Sequence, residues 1–134
     1  MSIISVNPYA TTTQTVGFIP QTITDYYQIQ YKSLEVHMPP GVLKHLKKKG
    51  HWDDFMTYHE KIPDMISLPD YAGQNPKEPG TVELYKVLND HVILPIKLNS
   101  EGLFLSSFYI LDNGANKISK RLRVERIHPF SFFS

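Results

Sequence analysis

Two apolar runs, HVILPIKL (91–98) and LFLSSFYIL (103–111), are separated only by NSEG (99–102). A polar, glycine-containing link of that length joins neighbouring antiparallel strands, so the C-terminal half is committed to an antiparallel meander. TVELYKVL (81–88) is a possible further strand, and NKISKRLRVERI (116–127) is read as a fourth. Val92, Leu94, Ile96 and Leu98 alternate along the first run, which puts Lys97 on the opposite face. A two-residue turn at Ser100 and Glu101 then places Lys97 with Phe104, Ser106 and Phe108, leaving Ser107 and Tyr109 on the reverse. Only a bulge, or a loop one residue different, brings Lys97 and Ser107 together.

The first half has helical periods. Residues 1–15, rich in Ser, Thr and Asn, read as a flexible arm, and 16–134 as a single domain. PQTITDYYQIQ (20–30) predicts a short helix, and SLEVHM (33–38) alternates as a half-buried strand. After PPG, Val42, Leu43 and Leu46 share one helical face with the lysines opposite, and Gly50 stands where a left-handed cap ends a helix. Asp53 can cap the next helix, in which Phe55, Tyr58 and Ile62 recur up to Pro63. His59 sits at the edge of that apolar face. PDMISLPDY (63–71) begins further helical turns, and AGQNPKEPG (72–80) is a loop by composition. Helices followed by an antiparallel sheet of about four strands make an α+β fold.

At 134 residues and 41% hydrophobic content the chain can bury one real core. Having no cysteine, it has no disulfide, thiol nucleophile or thiolate metal site, and any catalysis rests on His, Lys, Arg, Ser, Tyr or carboxylates. No run approaches the roughly eighteen apolar residues of a membrane span, and MSIISVNPYATTT lacks the basic and apolar regions of a signal peptide. The expected location is therefore a cytoplasm, with no membrane partner.

Charge is segregated although the formal net charge is only +1. Lys44, Lys47, Lys48, Lys49, Lys117, Lys120, Arg121, Arg123 and Arg126 supply nine of the fourteen basic residues in two segments that contain one acid, Glu125. KHLKKKGH (44–51) adds two histidines to the first of them. Such a run is either a solvated face or a site for an anion, and His45 and His51 beside it suit proton transfer near neutral pH. The histidine spacing is not the i, i+4 pair of a zinc helix, and the lysines would repel a cation, so neither a metal nor another cofactor is expected. Nucleophile-elbow, P-loop and dinucleotide-binding glycine patterns are absent from the sequence. DNGAN (112–116) reads as a turn, and HPFSFFS (128–134) either stacks on bases or closes the core or faces a partner.

VGFIPQTITDYYQI, LEVHMPPGVLKHLKKKGH, IPDMISLPDYAG, VELYKVLNDHVILPIKL and LFLSSFYIL together resemble the phage-associated nuclease domains of the barnase, EndoU, colicin and RelE-like superfamily. The similarity runs from about Val16 to about Arg123. It implies a barnase/RelE-like fold and a metal-independent ribonuclease that uses the ribose 2′-hydroxyl as nucleophile, in a toxin or effector of phage or prophage origin. The implied partners are RNA and an immunity protein or host protein, and the implied setting is a bacterial cytoplasm. By position, the resemblance makes His51 the general acid or base and His45 a phosphate ligand or a brace for His51. It further implies Lys97, Ser107 (with Ser106 as rival) and Arg121 at the catalytic site, and Lys44, Lys47, Lys48, Lys49, Lys120 and Arg123 as substrate-binding cations. KRLRVERI stands where the resemblance leads one to expect an SGRL-like turn. Loss of a donor there would leave a catalytically degraded fold acting as an anti-defence or binding module.

Overall fold

The computed structural model describes residues 4–30, 32–99 and 102–134. In chain order the elements are β1 (Gln14–Phe18), α1 (Gln21–Tyr26), β2 (Glu35–Met38), α2 (Pro40–Lys48), α3 (Trp52–Tyr58), α4 (Ile62–Ser67), β3 (Tyr71–Asn75), β4 (Glu78–Val87), β5 (His91–Asn99), β6 (Gly102–Leu105), β7 (Tyr109–Ile110), α5 (Gly114–Arg123) and β8 (Ile127–Pro129). Short 3-10 turns follow α3 at His59–Lys61 and β8 at Phe130–Phe133. The α+β class holds, but the sheet is not a four-stranded antiparallel one. Among the described residues it has eight strands in the order β1-β2-β6-β5-β4-β3-β8, with β7 also paired to β5. It is mixed, because β2 runs parallel to β6.

Two segments take other structures than their composition suggested. AGQNPKEPG is no loop: β3 runs through Asn75 and β4 starts at Glu78, so the Pro-rich stretch is a tight strand connection. Residues 116–123 are no strand but the body of α5. Alternation and helical spacing are both satisfied by Ile118 and Leu122, but alternation would turn Lys120, between them, to the same face, whereas the helix leaves it exposed.

Each sheet face carries its own apolar layer. On one side Val82, Leu84, Val92, Leu94, Ile96, Leu103 and Leu105 pack against Ile23, Val42, Leu46, Phe55, Ile62 and Met65 of α1–α4. Val6 is buried in this layer, and the Asn7 N–H bonds Gln14 Oε1 at 2.8 Å, ahead of edge strand β1. On the other side Tyr85, Ile93 and Ile127 pack against Ile118 and Leu122 of α5. Burial of Ile118 and its neighbours stabilises α5 by about 2 kcal/mol per large side chain.

Between the hairpin strands Lys97 lies opposite Phe104, as the two-residue turn requires, while Ser100 and Glu101 themselves lie outside the described residues. Beyond Leu105 the register changes. From Ile96↔Leu105 to Ile93↔Tyr109, β5 moves three residues and its partner four, so one extra residue is accommodated between Ser106 and Phe108. Phe108 consequently enters the α3 side of the core against Phe55 and Tyr58. Tyr109 moves to the face of Ile93 and Lys97, the reverse of its place in an unbulged hairpin.

Candidate active site

The face covered by α5 carries a polar cluster. Thr81, Glu83 and Tyr85 alternate along β4, opposite Lys97, Pro95 and Ile93 of β5. Glu83 is 2% exposed, deep in a mostly apolar sheet, where an ionised carboxylate is tolerated only if paired and hydrogen-bonded. Arg126 Nη2 supplies the pair, donating to Glu83 Oε1 at 2.8 Å, and the Tyr85 hydroxyl donates to the same oxygen at 3.2 Å. Arg121 Nη1 in turn donates to the Tyr85 hydroxyl at 2.7 Å. Tyr109 faces the same carboxylate and the same two arginines. His51 closes the set at the rim, its ring centroid 6.2 Å from that of Tyr109.

Two identical chain devices set the positions of His51 and Arg126. At the end of α2, Gly50 is left-handed (φ 77), its N–H bonds the Lys47 carbonyl at 3.3 Å, and the His51 N–H bonds the Leu46 carbonyl at 2.8 Å. This is a Schellman motif, which satisfies orphan carbonyls and turns the chain sharply. At the end of α5, Glu125 takes the left-handed place (φ 60) and the Arg126 N–H bonds the Arg121 carbonyl at 2.9 Å. Each basic segment thus ends in the same motif and delivers its last functional side chain from the same motif position. The two segments, far apart in sequence, meet across Tyr109.

Electrostatics follow from burial. Desolvation, then the neighbouring Glu83 charge, raise the Tyr109 phenol, with Arg121 and Arg126 opposing. Tyr85 is raised as well, chiefly by burial and then by Glu83. Both are therefore neutral donors across the physiological range. Burial works against the charge on Arg126, but its hydrogen bond and ion pair with Glu83 outweigh that and raise it. Arg126 Nε is buried and has no hydrogen-bond partner among the described residues, a state that costs about 1–3 kcal/mol in a folded protein.

The other residues singled out in the sequence take various places. Lys97 shares this sheet face but pairs with Glu78 at 3.5 Å. Ser106 Oγ donates to the Pro95 carbonyl at 3.3 Å, and Ser107, half-buried, lies in the bulged stretch. His45, Lys44, Lys48 and Lys49 are exposed on α2, and Lys47 rests over the Trp52 ring at 4.4 Å. Lys120 and Arg123 are exposed on α5. His59 bonds the Met56 carbonyl through Nδ1 at 2.8 Å, in keeping with a structural role. Asp53 makes no side-chain cap on α3, whose first residue follows His51. No described helix is long and apolar enough to cross a membrane.

Glu83 and Tyr85 were not singled out in the sequence, Arg126 was counted only among the cations of the second basic segment, and Tyr109 was given a face but no role. A signal for Glu83 existed: an acid at the centre of TVELYKVL, on the polar side of the alternation, is expensive to bury without a purpose or a partner. No curated protein and no solved structure matches the chain. The family model described as phage-Barnase-EndoU-ColicinE5/D-RelE like nuclease3 matches residues 13–119, which span β1 to the middle of α5 and include His51 and Glu83. With most of its length covered by that match, the chain belongs to this family of nucleases.

Proposed function

We propose that the protein is a metal-independent ribonuclease of phage or prophage origin that acts as a toxin or effector in a bacterial cytoplasm. The observation that carries this reading is the linkage of Arg121, Tyr85 and Arg126 to the buried Glu83, with His51 beside the neighbouring Tyr109, in a chain of a nuclease family. Transfer by the ribose 2′-hydroxyl needs a base for its proton, cations for the phosphorane and an acid for the leaving oxygen. Glu83 takes the 2′ proton as the 2′-oxygen forms its bond to phosphorus. Arg121 and Arg126 carry the extra negative charge. The bond to the 5′-oxygen then breaks, and the His51 imidazolium gives that oxygen its proton. The products are a 2′,3′-cyclic phosphate and a 5′-hydroxyl.

Lys97 and Ser107 serve in this proposal as further phosphate contacts beside the centre. His45, with Lys44, Lys47, Lys48, Lys49, Lys120 and Arg123, forms the outer electrostatic field that draws in a polyanion. A second reading is favoured by the saturation of Glu83, whose carboxylate is bonded by Arg126 and Tyr85 and almost fully buried. It makes the protein a catalytically degraded fold that grips RNA or a host protein through the same basic face. An immunity partner fits the first case and a host target the second.

Incubation of purified protein with total RNA in EDTA separates them. Fragments ending in 2′,3′-cyclic phosphate are expected from wild type, with a fall of about 10²–10⁴ in rate for His51→Ala and for Glu83→Gln. Intact RNA with wild type would sink the ribonuclease proposal and favour the binding module.

A further inference from the structure

A groove of ≈ 540 Å³ opens beside the cluster, between α1 and the β3–β4 connection, and Arg126 belongs to both. Its walls include Tyr26, Tyr27, Gln74, Asn75 and His128. We infer that this groove is the seat of one nucleobase of the RNA strand, on a nucleotide next to the phosphate held by Arg126. The inference rests on the ribonuclease reading for the identity of the strand, and adds to it a base-binding subsite.

Three observations converge. First, the groove is aromatic where a base would stack. Tyr26 is 50% exposed although it stands edge-on to Tyr27, at 4.9 Å between centroids, and to Phe133, at 5.4 Å. His128 is held flat on Phe132, with centroids 3.9 Å apart and planes 11° from parallel. A half-exposed ring held by aromatic neighbours is a platform that loses little freedom when a base lands on it. Second, the groove is also lined by two amides already oriented by the chain. Gln74 Nε2 donates to the Pro79 carbonyl, leaving its oxygen as an acceptor. Asn75 Oδ1 accepts from the Lys77 N–H at 2.9 Å, leaving its amide protons as donors. A base edge offering one donor and one acceptor matches that pair. Third, Arg126 joins the groove to Glu83, so a phosphate bound there has an adjacent base placed within reach of the aromatic wall.

The charge around the groove fits a nucleotide. Arg126 is the cation in its wall and Glu125 the acid, which disfavours a second phosphate inside and suits the uncharged base. Stacking on one ring tolerates different bases, because every base has a π-face.

The test uses a short 2′-O-methyl RNA, whose 2′-oxygen is blocked from attack, so binding is read without cleavage. It carries 2-aminopurine, or an abasic residue, on one side or the other of its central phosphate. Wild type is expected to quench 2-aminopurine in one of the two placements, and to bind the corresponding abasic strand about tenfold more weakly than the intact one. Tyr26→Ala is expected to remove the quenching and to bind intact and abasic strands equally, at the level of wild type on the abasic strand. Tyr26→Phe should restore both effects. A folding defect would lower binding of the abasic strand too, so the equality isolates the stacking contribution. Quenching unchanged in Tyr26→Ala, equal binding of intact and abasic strands by wild type, or no binding at all would overturn the assignment. Cleavage of unmodified RNA is scored separately, so loss of this subsite leaves the ribonuclease proposal standing, and intact RNA in that assay removes the ribonuclease proposal while stacking is still measured.

Discussion

Glu83 is the residue on which the site turns, because it is the buried charge that every neighbour answers. Removing its charge leaves Arg126 desolvated and unpaired. Glu83→Gln is therefore expected to lower stability by about 3 kcal/mol as well as to slow cleavage, read by denaturant unfolding beside the activity assay. Gly73 has a comparable importance for geometry alone. A Cβ there would lie 2.3 Å from the Arg126 carbonyl oxygen, a backbone atom that cannot swing away. Gly73→Ala should force β8 off β3, cost about 1–3 kcal/mol and shift Arg126 away from Glu83; retained stability and activity together would contradict that. The phenols make a third test at this scale. Tyr27 is pushed up to about 12, mainly by burial and then by Tyr26, and Tyr85 and Tyr109 are raised as well, from an ordinary value near 10. Raised values mean that the fold holds these protons more tightly than the unfolded chain. Their contribution to stability is complete below about pH 10 and is lost as pH rises above it. Ultraviolet titration should show part of the eight tyrosines ionising late, and the melting temperature should fall only above that pH.

Among the elements, the two helix ends that place His51 and Arg126 differ in one instructive way. Gly50 takes the left-handed place at no steric cost, whereas Glu125 takes it with a side chain. An L-residue in that conformation costs about 1–2 kcal/mol. Gly50→Ala is accordingly expected to destabilise by roughly 1 kcal/mol and to misplace His51, while Glu125→Gly should stabilise by a similar amount with Arg126 held where it is. Thermal melts of the two variants check the opposite signs, and a common sign would show that the motifs are not equivalent. Helix α5 itself depends on Ile118, whose truncation to Ala removes the anchor that holds Arg121 over Tyr85 and is expected to cost about 2–4 kcal/mol.

For the molecule as a whole, charge is segregated along the chain although the formal net charge is only +1. The lysines of α2 and the cations of α5 lie on helices that pack against opposite sheet faces, and with so many exposed cations RNA binding should weaken steeply with added salt. Replacing Lys44, Lys48 and Lys49 together should flatten that salt dependence while leaving the chemistry at saturating RNA nearly intact, since these side chains are exposed outside the cluster. A fall in maximal rate as large as that of His51→Ala would instead place them in the reaction.

The sequence by itself determined the elements whose causes are local: the β5–β6 hairpin and its register at Lys97 and Phe104, the apolar face of α2, the glycine that ends it, and the segregation of charge. Residues close in sequence decide each of these, through side-chain alternation, helical spacing or one left-handed residue. Tertiary structure alone decided what those elements enclose. The extra residue between Ser106 and Phe108 carried Tyr109 to the other face, and only the β3–β8 pairing and the packing of Ile118 against the sheet made a helix of KRLR and brought Arg126 to Glu83. The physical reason is that a buried carboxylate is stabilised by whichever cations the fold delivers to it, and Glu83 and Arg126 are 43 residues apart in the chain.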